Sequence, residues 1–169
     1  LTTLSSLSPQ AETASSDAEA YRQAYATAMR LLVRREHSAH ELRQKLKDRR
    51  CPAAVAEAVI AALRHEGALS DRRFVETYVQ GRFERGFGPL RIGAELRERG
   101  IDQPLIDATL AHHAPAWPGS ARRQRHKRFG AGLPAEFGDR VRQMRFLQQR
   151  GFSAEQIHAA LGAEAEADD

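Results

Sequence analysis

Apolar positions recur at three- and four-residue steps through most of the chain, and the stretches carrying them predict helices. Tyr25, Met29, Leu32 and Val33 share one face of a first segment, with Arg30, Arg34 and Arg35 off that face or at its end. Ser38 opens a second segment, with Glu41 three residues on in a capping-box pattern and Leu42 and Leu46 on the inner face. Pro52 suits the first turn of a third, which turns Val55, Val59, Ile60 and Leu63 inward and closes at Gly67. The plan then recurs. Ser70 or Asp71 caps a helix bearing Phe74, Val75, Tyr78, Val79 and Phe83, and Gly86-Phe87-Gly88-Pro89 breaks it. Ile92 and Leu96 face inward on the next helix, Gly100 turns the chain, and Leu105, Ile106 and Leu110 follow. After a Gly/Pro-containing loop at 130–138, Met144, Phe146 and Leu147 mark another helix. A second capping-box pattern, Ser153 and Gln156, introduces Ile157 and Leu161. No segment alternates with a period of two, so the predicted fold class is all-α.

Three of these helix ends are copies of one another. Leu46-Lys47-Asp48-Arg49-Arg50-Cys51-Pro52, Leu96-Arg97-Glu98-Arg99-Gly100-Ile101-Asp102 and Leu147-Gln148-Gln149-Arg150-Gly151-Phe152-Ser153 align Leu46 with Leu96 and Leu147, and Arg49 with Arg99 and Arg150. The steps are about fifty residues, which predicts three tandem three-helix repeats in an elongated or curved array. The expected divisions are a structureless arm at 1–20, repeats at 21–68, 69–114 and 115–162, and an acidic, frayed tail at 163–169. One such triplet alone would be marginal, so the repeats must either pack on one another or form a flexible array. Trp117, the one tryptophan, sits in the Pro115–Gly119 joint and is expected to anchor packing between the second and third repeats, with a base-stacking platform as the alternative.

Charge changes the picture. The net charge is only +4, but seven acids lie at the two ends, leaving residues 21–163 with 15 acids against 26 bases. A basic body suggests a polyanionic partner, nucleic acid first, although a solvated helical surface is also rich in charge. The bases gather in each repeat: Arg43, Lys45, Lys47, Arg49 and Arg50; then Arg82, Arg85, Arg91, Arg97 and Arg99, diluted by Glu84, Glu95 and Glu98; then Arg122, Arg123, Arg125, Lys127 and Arg128. Such clusters neutralise phosphates without reading sequence. The candidate nucleic-acid or filament contacts are Arg43, Lys45, Lys47, Arg49, Arg91, Arg97, Arg99, Arg122, Arg123, Arg125, Lys127, Arg128 and Arg150.

Catalytic and metal chemistry find no support. His37 and His40 straddle a helix start without a cysteine or the usual ligand spacing, and ordinary surface histidines are expected there. Gly86-Phe87-Gly88 lacks the Gly-Lys-Ser/Thr ending of a phosphate loop. No nucleophile, base and orienting acid form a set, so no enzyme activity and no cofactor or metal is expected. The one cysteine, Cys51, fills a slot held elsewhere by Ile101 and Phe152 and is expected to be a small buried residue. A sequence-specific repressor is also disfavoured, since the helix over 103–112 that would read bases is apolar and has no Arg or Lys. The opening residues make a poor signal peptide and no run reaches the ~20 apolar residues of a membrane span, so the expected location is the cytoplasm.

Several of these motifs occur together and in order. Arg34-Arg35-Glu36-His37-Ser38 followed by Glu41-Leu42 and Lys45-Leu46, then Ser70-Asp71-Arg72-Arg73-Phe74, Gly86-Phe87-Gly88-Pro89-Leu90-Arg91-Ile92, Glu95-Leu96-Arg97-Glu98-Arg99-Gly100-Ile101 and Arg145-Phe146-Leu147-Gln148-Gln149-Arg150-Gly151-Phe152 resemble the bacterial RecX family over residues 24–161. Ser70 departs from the pattern, which more often has a second Asp, but a Ser cap does the same local work. The resemblance implies a cytoplasmic, non-enzymatic regulator of the RecA recombinase in DNA repair, homologous recombination and the SOS response. Such a protein would act as a monomer, lie along the RecA filament on single-stranded DNA (with double-stranded DNA as a second form), and suppress recombinase, ATPase and coprotease activity. Two other expectations compete with it: a sequence-independent DNA-binding protein with no recombinase contact, and a helical protein-interaction scaffold whose charge serves solubility.

Overall fold

The computed structural model describes residues 9–162, with side chains from residue 16. The expected acidic tail at 163–169 and the first eight residues of the expected arm lie outside the described residues. Nine α-helices and one short 3-10 turn are found among the described residues, with no strand. They fall into two compact units that divide in sequence between Phe74 and Val75.

The first unit is built on α1 (Pro9–Arg34), α2 (Ala39–Asp48) and α3 (Ala53–His65). Helix α1 begins well inside the stretch assigned by composition to a structureless arm. Pro9 is suited to a first helical turn, and Ala11, Ala14, Ala18 and Ala20 are strong helix formers. Its inner stripe also differs from the expected one. Ala24 and Ala28 are the fully buried positions, Tyr25 and Met29 flank them, and Val33 is 82% exposed. The small alanines let α1 lie close on α3, and Val33, nine residues from Ala24, falls half a turn away on the far side. Leu42, Leu46, Val59, Ile60 and Leu63 complete the core.

Ser38 caps α2 by accepting the Glu41 N–H at 3.0 Å. His37, expected at the surface, is instead 3% exposed, its Nδ1 3.0 Å from the Arg35 carbonyl oxygen, and burial lowers its pKa. The cap works at close quarters with the next helix start. Ser70 Oγ accepts the Arg73 N–H, while the Asp71 carboxylate accepts both the Ala39 N–H at 2.7 Å and an Arg64 guanidinium N–H at 2.7 Å. Arg73 in turn donates to the Gly67 and Ala68 carbonyls and pairs with Glu36. Of the two candidate caps, Ser70 caps its own helix and Asp71 serves the start of α2.

The second unit holds the rest of α4 (Asp71–Glu84), with α5 (Pro89–Glu98), α6 (Gln103–His112), α7 (Trp117–Phe129), α8 (Phe137–Arg150) and α9 (Ala154–Ala160). Helix α5 packs on α6, and α7 packs on α8 and most extensively on α9. Val75, Val79, Ile92, Leu96, Ile106, Leu147, Phe152 and Ile157 are essentially sequestered from water. Trp117 is 2% exposed, with its ring edge-on to Phe83 at 5.1 Å and beside His113 at 5.8 Å. It anchors packing and offers no face to a base.

The three repeated helix ends share one hydrogen-bond pattern. The N–H groups of Cys51, Ile101 and Phe152 donate back to the carbonyls of Leu46, Leu96 and Leu147 at 3.1–3.2 Å. Those of Arg50, Gly100 and Gly151 donate to Lys47, Arg97 and Gln148 at 2.8–2.9 Å. This is the Schellman closure, which requires a left-handed residue at its hinge and brings an apolar residue after it onto the leucine. Gly100 and Gly151 take that hinge freely, at φ +71 and +88. Arg50 takes it at φ +60 with a side chain, at a cost of about 1–2 kcal/mol. Arg50→Gly is therefore expected to stabilise the protein by about 0.5–1 kcal/mol, the strain removed less the added freedom of the unfolded chain. The check is an upward shift of the urea midpoint. A downward shift would mean that the Arg50 side chain contributes more than its backbone costs.

Candidate nucleic-acid-binding surface

Thirteen basic positions are candidates from sequence, and the structure sorts them by what already occupies their charge. In the first unit Arg43 lies against Glu57, with Nη2 to Oε2 at 3.0 Å; that hydrogen bond raises the Arg43 pKa and lowers that of Glu57. Arg49 folds back to donate to the Lys45 carbonyl at 3.0 Å, capping the end of α2. Lys47, Arg49 and Arg50 are exposed together at that end, and Lys45 is half-buried.

In the second unit the candidates on α5 are largely engaged. Glu95 accepts hydrogen bonds from Tyr78 at 2.8 Å and Arg91 at 3.1 Å, and pairs with Arg82. Burial alone would raise the Glu95 carboxyl, but the hydrogen bonds from Arg82, Tyr78 and Arg91 outweigh it and hold the pKa below the ordinary value. Arg99 donates to the Glu95 carbonyl at 3.0 Å and lies over the Tyr78 ring at 4.7 Å. Arg97, exposed like Arg91, donates to the Gln103 side-chain oxygen at 3.2 Å.

Arg150 occupies the repeat position of Arg49 and Arg99 but does something else. Those two cap their own helices. Arg150 donates to the Arg85 and Gly86 carbonyls at 3.2 and 3.1 Å and lies over the rings of Phe87 and Phe146. Burial, and then the charge of Arg91, lower its pKa. Beside it the backbones meet directly. The Gly88 N–H donates to the Arg150 carbonyl at 2.7 Å, and the Leu90 N–H to the Gly151 carbonyl at 3.0 Å. The open N-terminus of α5 is thus capped by the last carbonyls of α8, donor end to acceptor end. Arg150 is therefore part of this joint rather than an exposed phosphate contact.

Helix α7 carries the densest charge. Arg122, Arg123, Lys127 and Arg128 are exposed and have no carboxylate partner among the described residues. Arg125 corrects the expectation for this run. It is 3% exposed and donates to the carbonyls of Gly132 at 2.7 Å and Ala131 at 3.2 Å, beside the buried Gln143 amide. Its role is to hold the 130–136 loop against α7, which removes it from the track.

Sequence inspection overlooked two arginines on the facing helix. Arg142 and Arg145 of α8 line a groove of about 570 Å³ with Arg128, Phe129, Phe146 and Gln149. Their spacing was legible, since 142, 145 and 149 share a helix face opposite Gln143 and Leu147. No cluster of three or more His, Cys, Asp or Glu suited to a metal occurs among the described residues. Nor is any helix there long and apolar enough to cross a membrane.

Consecutive helical triplets closed by one recurrent turn, with basic helix faces, define an all-α helical-repeat protein. Sequence models of the first, second and third three-helix domains of RecX match residues 24–63, 70–110 and 120–161. The chain belongs to the RecX family. It is 46% identical over 142 residues to a protein named "Regulatory protein RecX" from Halorhodospira halophila, covering 84% of this chain and 88% of that one. A protein of the same name from Pseudomonas fluorescens is 39% identical over 135 residues, covering 80% and 87%. Two solved structures share the fold: RecX from Lactobacillus salivarius, TM-score 0.75 at 18% identity over 86% of this chain and 97% of that one, and a regulatory protein RecX, TM-score 0.79 at 22% identity over 96% and 81%. The relatives' shared name gives the family a regulatory role.

Proposed function

We propose that this protein is a non-enzymatic regulator that binds the RecA filament on single-stranded DNA and restrains its recombinase, ATPase and coprotease activities. It acts in the cytoplasm as a monomer, with repeats at 21–68, 69–114 and 115–162 following a periodic partner. The observation that carries this, beside family membership, is the set of exposed cations on α7, Arg122, Arg123, Lys127 and Arg128, that no described carboxylate neutralises. Cations left open to solvent are available to phosphates, whereas Arg43, Arg91, Arg99, Arg125 and Arg150 spend part or all of their hydrogen-bonding capacity within the protein. Lys47, Arg49, Arg50 and Arg97 add exposed charge elsewhere.

RecA-driven strand exchange, followed as the protein is titrated in, tests the proposal. Inhibition at amounts well below one protein per DNA nucleotide is expected, and strand exchange unaffected at saturating protein would end the proposal. Titration of bare single-stranded DNA over a range of salt separates the competing DNA-only function. A contact made by DNA alone should weaken with a log–log slope of roughly −0.7 per phosphate neutralised and leave the recombinase contributing nothing to affinity.

A further inference from the structure

The groove between α7 and α8 combines guanidinium groups with partly exposed aromatic rings. Its walls carry the guanidinium groups of Arg128, Arg142 and Arg145. Between them lie Phe129 and Phe146, both partly exposed, with ring centroids 5.3 Å apart and planes nearly perpendicular. Gln149 adds an amide, with one donor and one acceptor side, at the edge. No carboxylate lines the groove. Asp139 holds one arm of Arg142 at 3.2 Å, that guanidinium lies over the Phe129 ring at 5.5 Å, and Arg150 lies over the Phe146 ring at 5.0 Å. Arg128 and Arg145 are exposed and have no ion-pair partner among the described residues.

We propose that this groove seats one or two nucleotides of single-stranded nucleic acid, with phosphates on Arg128 and Arg145 and an unstacked base against Phe129 and Phe146. The inference rests on the DNA-binding part of the function proposed above and assigns its contact point in the third repeat. Charge alone would suit any polyanion. An acidic peptide would neutralise the guanidinium groups but has no flat ring to set against the phenylalanines. Duplex DNA keeps its bases stacked inside and would reach the arginines only. A single strand supplies both a phosphate and a free base face. Arg142 is a positioning residue: tethered by Asp139, it lies over the Phe129 ring at the groove wall.

The test uses the full chain and three probes: an oligothymidylate, an abasic oligomer of equal length and charge, and an oligoglutamate peptide. Binding is followed by fluorescence anisotropy. The oligothymidylate should bind about tenfold more tightly than the abasic oligomer, as expected for stacking of one base. The pair Phe129→Leu and Phe146→Leu should abolish that ratio while leaving abasic binding unchanged. Arg128→Glu with Arg145→Glu should weaken both oligomers and reduce the salt slope by about 1.4, two phosphates' worth. In the unaltered protein, 5-iododeoxyuridine in the oligomer should photo-crosslink within residues 128–149, a readout independent of any variant's folding. Equal affinity for the thymidylate and abasic oligomers, crosslinks mapping elsewhere, or an oligoglutamate that competes as well as the oligothymidylate would each overturn the proposal. Its failure is distinct from failure of the recombinase function. Strand exchange could remain inhibited with no base-dependent binding, or base-dependent binding could persist with strand exchange untouched.

Discussion

Gly88→Ala should destabilise the second unit by about 3–5 kcal/mol. A Cβ at residue 88 would meet the carbonyl carbon and oxygen of Gly151 and come within 2.5 Å of the Phe152 nitrogen. These are backbone atoms at the end of α8, and they have no rotamer with which to yield. The overpacking accounts for about 1–3 kcal/mol. The clash also separates two hydrogen bonds, Gly88 N–H to Arg150 and Leu90 N–H to Gly151, each worth about 1 kcal/mol. Gly151→Ala should act similarly from the other side, since its Cβ would meet Arg91 Cβ and lie 2.5 Å from the Arg91 nitrogen, at a φ of +88 that already disfavours a side chain. Gly81→Ala is the control. It lies within α4 with nothing inside 4 Å of the added methyl and should stabilise by about 0.5–1 kcal/mol. Urea denaturation followed by the fluorescence of Trp117, which reports on this unit, distinguishes them. If Gly88→Ala and Gly81→Ala shift the midpoint alike, the two turns are not locked together.

The second large effect is expected at Arg125. Arg125→Ala should cost about 2–4 kcal/mol, because it removes charge-assisted hydrogen bonds to the Gly132 and Ala131 carbonyls and strands those acceptors at the edge of the core. Arg122→Ala and Arg123→Ala, exposed on the same helix, should move the midpoint by less than about 0.5 kcal/mol. Binding should show the reverse order once folded protein is compared at equal concentration. An Arg125→Ala protein of unchanged midpoint and reduced DNA affinity would return Arg125 to the charged track.

What sequence made legible here is what neighbouring residues decide among themselves. The caps at Ser38 and Ser153, the turns after Leu46, Leu96 and Leu147, and the inward leucines follow from side-chain period and local hydrogen bonding. The candidate surface was legible only in outline. Five bases within seven residues of α7 look alike in a string, and only the return of the 130–136 loop withdraws Arg125 from solvent. The stripe on α1 was read without its most buried members, and with Val33 in excess, because Ala24 and Ala28 carry weak hydrophobic signals yet permit close approach of helices. The Gly88–Gly151 contact joins positions 63 residues apart, and nothing in either tripeptide announces the other. Arg142 and Arg145 were missed for a simpler reason: they are spaced along a helix face instead of clustered in the string.

The meeting of α5 with α8 also bears on how such a protein can change over generations. Repeat arrays usually lengthen or shorten by gaining or losing whole modules, because each module needs only the neighbour it stacks on. Here the second triplet borrows the cap of its middle helix from the third, through Arg150 and Gly151. Deleting the third triplet would uncover the start of α5, and inserting a fresh copy between the two would place a foreign turn opposite Gly88. Changes at Gly88, Arg91, Arg150 and Gly151 are therefore expected to be coupled, because all four meet at one joint.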